Sequence, residues 1–102
     1  MLKINTEYRK GVLFIRLKGR FEHNYFLTTI NYLINHFGIN IIVLNLSELD
    51  YISLENIKHI SDQNKNILKK KKQLLICDKK IRNNLFNNIT KINSEIDAFS
   101  LI

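Results

Sequence analysis

The segment from Ile39 to Ile57, INIIVLNLSELDYISLENI, constrains the fold of this chain more than any other. It begins with an almost unbroken apolar run, residues 39–44, that is rich in β-branched side chains. Such a run is typical of a strand buried on both faces, as the central strands of parallel sheets are. The polar residues 45–50 then predict a loop, and Ser53, after Tyr51-Ile52, is a suitable N-cap for a following helix. Open α/β sheets carry their functional surfaces at the carboxyl ends of their strands, so the search for function starts here.

Length and composition indicate one small cytoplasmic domain. The chain has 102 residues, which we assign to a single domain over residues 1–102, and its hydrophobic fraction of 45% is that of a folded protein. No apolar segment approaches the ~20 residues that span a bilayer, and the N-terminus lacks the apolar core of a secretory signal. The one cysteine, Cys77, cannot form an internal disulfide, which fits a reducing compartment.

The net charge is strongly positive, at +7, and basic surfaces can bind nucleic acid, anionic lipid or acidic proteins. The densest part is the run Lys69–Lys72, and further cations lie nearby in the sequence (Lys65, Lys79, Lys80 and Arg82). Lysines at a helix end also complement the helix dipole. All four tyrosines precede this region, so it lacks the aromatic residues that stack on bases. We expect a solvated face, and keep an anion-binding patch as the alternative.

The remaining sequence alternates between strand and helix patterns. Strands are predicted at Ile4–Tyr8, Val12–Leu17, Ile39–Leu44, Gln73–Cys77 and Ile89–Ile92, and helices at residues 24–37, Leu54–Lys69, 79–88 and after Ser94. The apolar residues expected to face inward from the helix Leu54–Lys69 are Ile57, Ile60, Ile67 and Leu68. Gly11 suits a tight turn between the first two strands, which predicts an antiparallel hairpin. Because crossovers between parallel strands are right-handed, we expect an α/β domain with a mainly parallel sheet of four or five strands and helices mostly on one face.

Other chemistry finds little support in the residue pattern. Three histidines, His23, His36 and His59, fall on different predicted elements without metal-ligand spacing. Three glycines are too few for a Gly-rich phosphate loop. Cys77 is expected to be a buried small hydrophobe rather than a reactive thiol. No nucleophile or acid–base pair with an orienting partner can be named, so we expect no enzyme activity, no metal and no cofactor.

The order of elements and the segment VLNLSELDYI (Val43–Ile52) resemble the STAS domain of anti-sigma factor antagonists. In that family the central strand leads into "vvlDLs-x-v-x-f-(I/M)-D-S-S-G-L", whose closing aliphatic position corresponds to Ile57. Residues 17–22 resemble the family's "l-x-G-x-L-D" strand ending, and Ile96–Phe99 resembles its terminal "eAl" helix. The resemblance covers nearly the whole chain. It implies a bacterial, non-enzymatic regulator that binds an anti-sigma or kinase-like protein, or, as some compact STAS domains do, the ATPase of a transporter.

The chain departs from the family at its regulatory motif. The D-S-S-G sequence falls on Ser53, Leu54, Glu55 and Asn56, so Glu55 occupies the place of the phosphorylated serine and cannot accept a phosphate. The strand-end aspartate is also replaced, by Asn45. The resemblance therefore implies a module that has lost the usual serine switch.

Three interpretations of this motif compete. In the first, Ser53 is only an N-cap and Glu55 only a favourable charge at the positive end of the helix dipole. In the second, Glu55 partly mimics a phosphoserine, with less charge and fewer acceptor oxygens. In the third, Ser53 is a displaced phosphoacceptor, since a phosphate suits a helix N-terminus. We rank them in that order.

A partner surface is accordingly predicted around the start of the second helix. Its expected contacts are Asp50, Tyr51, Ser53, Leu54, Glu55, Asn56 and Lys58. Arg20, Glu22 and His23 follow the second strand at the same end of the sheet, where they either rim this surface or form a plain polar loop. A nucleic-acid or anionic-surface binder that uses Lys69–Lys72 is the alternative function.

Overall fold

The structure of the chain is a computed structural model that describes residues 2–22, 35, 38–80, 85–86 and 88–101. Five strands form one sheet in the order β1-β2-β3-β4-β5. The strands are β1 (Lys3–Arg9), β2 (Val12–Phe21), β3 (Ile41–Ile52), β4 (Gln73–Cys77) and β5 (Thr90–Ile92). The α-helix α1 (Leu54–Lys69) joins β3 to β4, and a 3-10 helix (Glu95–Leu101) follows β5.

The strand pairing confirms the predicted fold class. β1 and β2 form an antiparallel hairpin, while β2–β3, β3–β4 and β4–β5 all pair in parallel. The hairpin turns through Lys10 and Gly11, which both have positive φ, 51° and 83°. Glycine adopts this conformation without a steric penalty, which explains its place in the tight turn.

The core lies on both faces of the sheet, as the apolar run of the central strand predicts. Ile42 and Leu44 of β3 belong to a buried cluster that includes Ile60 and Ile67 of α1. Ile41 and Val43 point to the other face, where Ala98 and Phe99 of the 3-10 helix cover them. α1 therefore packs on one face of the sheet and the 3-10 helix on the other.

The predicted loop at residues 45–50 is wrong, because β3 continues through it to Ile52. The register between β2 and β3 shifts twice, from Asn45 to Glu48 and from Leu49 to Tyr51, and each shift adds one residue to β3. These bulges break the period-two alternation, so Leu46, Leu49 and Ile52 all face the same core. β2 pairs with this part of β3 and runs past its predicted end at Leu17 to Phe21.

The bounds of α1 are those predicted, but its buried stripe differs. The buried residues are Asn56, Ile60, Asn64 and Ile67, which recur every three or four positions. Leu68 was predicted to face inward but is 54% exposed, because one residue after Ile67 is a rotation of ~100° off that stripe. The structure thus places two asparagines in the helix interface and a leucine on the surface.

Some predictions fall outside the described residues. The first predicted helix, 24–37, lies there except for Asn35, as do His23 and His36. Within the third predicted helix, 79–88, Lys79 and Lys80 form a turn, whereas residues 81–84 and 87 are not described. In the part of the chain that is described, no helix is both long and apolar enough to cross a membrane.

Candidate protein-interaction surface

Ser53 caps α1 at the carboxyl end of β3, as predicted. Its backbone is extended, with φ −73° and ψ 155°, and its Oγ accepts a hydrogen bond from the backbone N–H of Asn56 at 3.2 Å. The Ile57 N–H donates to the Ser53 carbonyl at 3.0 Å. This is the geometry in which a serine satisfies backbone donors of the first helical turn.

The carbonyl of Phe21, at the end of β2, anchors the start of the helix. It accepts hydrogen bonds from the Ser53 backbone N–H at 3.1 Å and from Asn56 Nδ2 at 3.0 Å. Asn56 Nδ2 also donates to Ser53 Oγ at 2.9 Å. Asn56 is only 1% exposed, so the prediction that it contacts a partner is wrong. Its amide nitrogen instead holds the corner together from inside, whereas its Oδ1 is buried without a hydrogen-bond partner among the described residues.

The other predicted contacts reach the surface around this cap. We call Asp50, Tyr51, Ser53, Leu54, Glu55 and Lys58 the docking corner. Leu54 is 81% exposed and Tyr51 40% exposed, which places an aliphatic and an aromatic side chain in solvent three residues apart in the sequence. Asp50, Glu55 and Lys58 are also exposed, whereas Ser53 is half-buried. The backbone beneath is held by the hydrogen bonds above, so the corner presents a supported surface.

Charged neighbours surround the docking corner. The Arg20 guanidinium lies over the Tyr51 ring, 4.4 Å from its centroid, and forms an ion pair with Glu22 at 3.0 Å. On the other side, Lys80 Nζ lies 3.6 Å from the Asp50 carboxylate and donates to the Leu49 carbonyl at 2.9 Å. Sequence reasoning placed Arg20 and Glu22 near the corner but missed Lys80, because only the parallel pairing of β3 and β4 brings residue 80 there.

Glu55, which the resemblance aligns with the family's phosphoserine, carries an exposed carboxylate. Glu55 lies in the first turn of α1, where the helix dipole favours a negative charge. His59, one turn further on, has its Nε2 3.8 Å from the Glu55 carboxylate, an ion pair only when the imidazole is protonated. The hydroxyl of Ser53, the weaker phosphoacceptor candidate, is engaged as the helix cap.

A polar network lies on the opposite face of the sheet, below the corner. Arg16 Nε and Nη2 donate to the two carboxylate oxygens of Glu95 at 2.8 and 2.7 Å, and Nη2 also donates to Glu7 at 2.9 Å. Asn45 Nδ2 donates to the same Glu95 carboxylate at 2.8 Å. The hydrogen bond from Arg16 lowers the pKa of Glu95, and the bonds to Glu95 and Glu7 raise the pKa of Arg16. The network ties the 3-10 helix to the sheet.

Asn45 stands where the predicted alignment with the STAS pattern has an aspartate. An aspartate at this strand end would place a second carboxylate against Glu95, whereas the amide donates a hydrogen bond to it. The amide oxygen of Asn45 also accepts from the Ser47 backbone N–H at 3.0 Å. The neutral side chain of Asn45 can therefore donate a hydrogen bond to Glu95, 50 positions later in the sequence, without adding a second negative charge.

Cys77 is buried at the end of β4, in the place predicted for a small hydrophobe. Burial raises the pKa of its thiol, which keeps it protonated. Among the described residues, no group of three or more His, Cys, Asp or Glu side chains is arranged to hold a metal ion.

The basic residues predicted to form one patch lie at two ends of the sheet. Lys69–Lys72 end α1 and precede β4, whereas Lys79 and Lys80 follow β4. A strand of five residues spans about 15 Å, so these two groups cannot form a single patch. Arg82 lies outside the described residues.

Comparison with known proteins gives structural matches only. No protein-family model and no curated protein matches the chain. The anti-sigma factor antagonist SpoIIAA in its unphosphorylated form superposes with a TM-score of 0.79 and 13% identity, over 97% of this chain and 96% of that one. An anti-sigma factor antagonist from Mycobacterium paratuberculosis gives 0.77 and 13% identity, over 100% and 94%. An uncharacterised protein with a SpoIIAA-like fold from Shewanella loihica gives 0.58 and 17%, over 98% and 92%. The chain therefore has the fold of the SpoIIAA-like anti-sigma factor antagonists.

Proposed function

We propose that this protein is a cytoplasmic, non-enzymatic regulatory module that binds a partner protein through the docking corner. The partner class that the fold favours is an anti-sigma or kinase-like regulator, and the ATPase of a transporter is the alternative. The fold shared with two anti-sigma factor antagonists over nearly their whole length supports a protein-interaction role.

The exposure of Leu54 is the observation that carries this proposal. A leucine in the first turn of a helix gains nothing from water, yet 81% of its surface is exposed. Single exposed apolar residues are common, but this one lies three residues after half-exposed Tyr51 and is followed by the exposed charges of Glu55 and Lys58. Apolar centres with polar rims are the usual anatomy of protein interfaces. Leu54 would be the buried centre of the contact and Asp50, Glu55 and Lys58 its rim.

Glu55 gives the corner a permanent charge in place of a switchable one. We infer that the partner meets a constitutive state of this surface, with Glu55 standing partly for the phosphorylated residue of the family. Serine phosphorylation at Ser53 is not part of this function, because the Ser53 hydroxyl already caps the helix.

The first experiment identifies the partner and tests Leu54. The tagged protein is used for affinity purification from its native cell, and the captured proteins are identified by mass spectrometry. Leu54→Ser is then compared with Leu68→Ser, a matched control at the other exposed leucine of the same helix. Burying a leucine contributes ~1.5–3 kcal/mol, so Leu54→Ser should weaken the purified complex by about 10- to 100-fold, and Leu68→Ser by less than about threefold. Equal affinities for the two variants would refute the docking corner.

The second experiment tests the fixed charge. Glu55→Ser should change the affinity for the captured partner while leaving the melting temperature nearly unchanged, since Glu55 is exposed. Glu55→Asp, which keeps the charge, should behave like the unmodified protein. If Glu55→Ser binds with unaltered affinity, the carboxylate does not mimic a phosphate. A mass shift at Ser53 after incubation with a cognate kinase would overturn the exclusion of that residue.

A further inference from the structure

Two turns meet at the end of the sheet opposite the docking corner and enclose a second groove. The β1–β2 turn and the turn between α1 and β4 are joined through Asn40, whose N–H donates to the Gly11 carbonyl at 2.9 Å and whose carbonyl accepts from Gln73 N–H at 3.0 Å. The groove between them has a volume of about 560 Å³. We call it the basal groove; its rim is formed by Lys10, Leu68, Lys71, Lys72 and Leu101.

The charge of the basal groove is of one sign. Three lysines line it, and none of the described residues that line it is acidic. The larger groove on the 3-10 helix face differs, because its lysines share it with Glu48 and Glu95. Lys69, the last residue of α1, and Lys70 in the turn after it are exposed and add to the positive field. Such a field attracts anionic partners.

Two of these lysines occupy left-handed backbone positions in the two turns. Lys10 and Lys71 have positive φ, 51° and 60°. Glycine and asparagine adopt this left-handed conformation more readily than lysine does. For a residue with an ordinary Cβ the conformation costs roughly 1–2 kcal/mol.

Two aliphatic side chains stand among the cations. Leu68 and Leu101 come from different elements, are 54% and 47% exposed, and both line the groove. Nucleic-acid surfaces typically use arginine forks and aromatic stacking, and the described lining has neither. Flexible lysines beside exposed aliphatic residues match an anionic lipid surface, where ammonium groups meet phosphates and leucines enter the acyl boundary.

We propose that the basal groove docks this protein on an anionic phospholipid surface, with a lipid phosphate between Lys10, Lys71 and Lys72 and with Leu68 and Leu101 in contact with the acyl boundary. The docking corner lies at the opposite end of the sheet and would face away from the membrane, open to a protein partner. The inference does not depend on the proposed function, because its residues and its assay are separate.

Sedimentation with lipid vesicles tests the proposal. The protein should sediment with phosphatidylcholine vesicles containing about 30% phosphatidylglycerol, but not with phosphatidylcholine alone, and raising NaCl from about 50 to about 300 mM should weaken binding. Each lysine near an anionic surface contributes ~1 kcal/mol, about fivefold, so the triple variant Lys10→Gln, Lys71→Gln, Lys72→Gln should bind of order 100-fold more weakly. Leu68→Ser should weaken binding severalfold.

The matched control is the triple variant Lys3→Gln, Lys18→Gln, Lys79→Gln, which removes the same net charge from the other groove. It should lose less than about fivefold if the basal groove is the site. Equal losses in the two triple variants would show that only net charge acts, and no binding to the anionic vesicles would refute the proposal outright. Binding of duplex DNA that depends on Lys10, Lys71 and Lys72, without vesicle binding, would reassign the groove to nucleic acid. Circular dichroism and urea unfolding establish that each variant is folded.

Discussion

The contact between Asn45 and Glu95 makes a sharp prediction about the family's strand-end aspartate. Asn45→Asp restores the residue type of the STAS pattern, yet here it should destabilise the fold. The amide now donates to the Glu95 carboxylate at 2.8 Å, and a hydrogen bond to a charged group contributes about 1.5–3 kcal/mol. The substitution removes that bond and replaces it with two carboxylates in contact.

The repulsion can be scaled from the geometry. Two unit charges about 4 Å apart in an effective dielectric constant of about 20 repel by ~4 kcal/mol. The Glu95 side chain is 24% exposed and paired with Arg16, so solvent and the guanidinium offset a large part of this. With the lost hydrogen bond, we expect a decrease of about 2–3 kcal/mol in the free energy of unfolding at neutral pH, which for a domain of this size lowers the melting temperature by roughly 10–20 °C.

Urea unfolding followed by circular dichroism provides the assay. The carboxylate of Glu95 raises the folded-state pKa of the carboxyl introduced at position 45. The loss of stability caused by the repulsion should therefore be complete above that pKa and should shrink as the pH falls towards about 4. Asn5→Asp is the matched control, because Asn5 Oδ1 accepts from Arg16 Nη1 at 2.9 Å and a carboxylate there keeps a favourable partner. A loss below about 0.5 kcal/mol for Asn45→Asp at neutral pH, or a loss equal to that of the control, would refute the reasoning.

Three further predictions follow from the described contacts. Ser53→Ala should reduce the free energy of unfolding by about 1 kcal/mol in urea titrations, because the helix loses its cap. Ser53→Asp should keep most of that stability, since aspartate also caps helices. Equal losses for the two variants would contradict the capping role. Because Arg16 lowers the pKa of Glu95, the pair stabilises the fold above the ordinary pKa of about 4.3, and this contribution is lost as the pH falls through the lowered pKa. The difference in the free energy of unfolding between the unmodified protein and Glu95→Gln should therefore narrow in acid. A difference that does not depend on pH would contradict the role of this ion pair. The buried Cys77 thiol, whose pKa is raised, should react with a chromogenic disulfide reagent only after urea unfolding, and prompt reaction of the folded protein would show that the 3-10 helix does not cover it.

Local chemistry made part of this structure predictable. The start of α1 could be predicted because the contacts of an N-cap lie within four residues of Ser53. The burial of β3 on both faces could be predicted from its apolar run. The exposure of Leu54 and Glu55 follows from the same cap, since the first turn begins outside the buried stripe.

Contacts between distant residues account for what was missed. The bulges that keep Leu46 and Leu49 on one face arise from pairing with β2, and no pattern within β3 marks them. Asn56 was predicted to contact a partner because of its place at the start of the helix, whereas its side chain is held by the carbonyl of Phe21, 35 residues earlier. Arg16 and Glu95 are 79 residues apart. The lysines were grouped by sequence proximity, although a short strand lies between them.

The two bulges also set how far the docking corner stands from the rest of the sheet. Pairing between β3 and β4 ends at Asn45 and Cys77, whereas β2 and β3 remain paired to Phe21 and Ile52. In the described part of the chain, the last seven residues of β3 therefore form a two-stranded ribbon that extends past the central ladder. Amide protons along this ribbon should exchange with solvent faster than those of residues 41–45, and a ligand seated on its tip would slow that exchange by holding the ribbon closed.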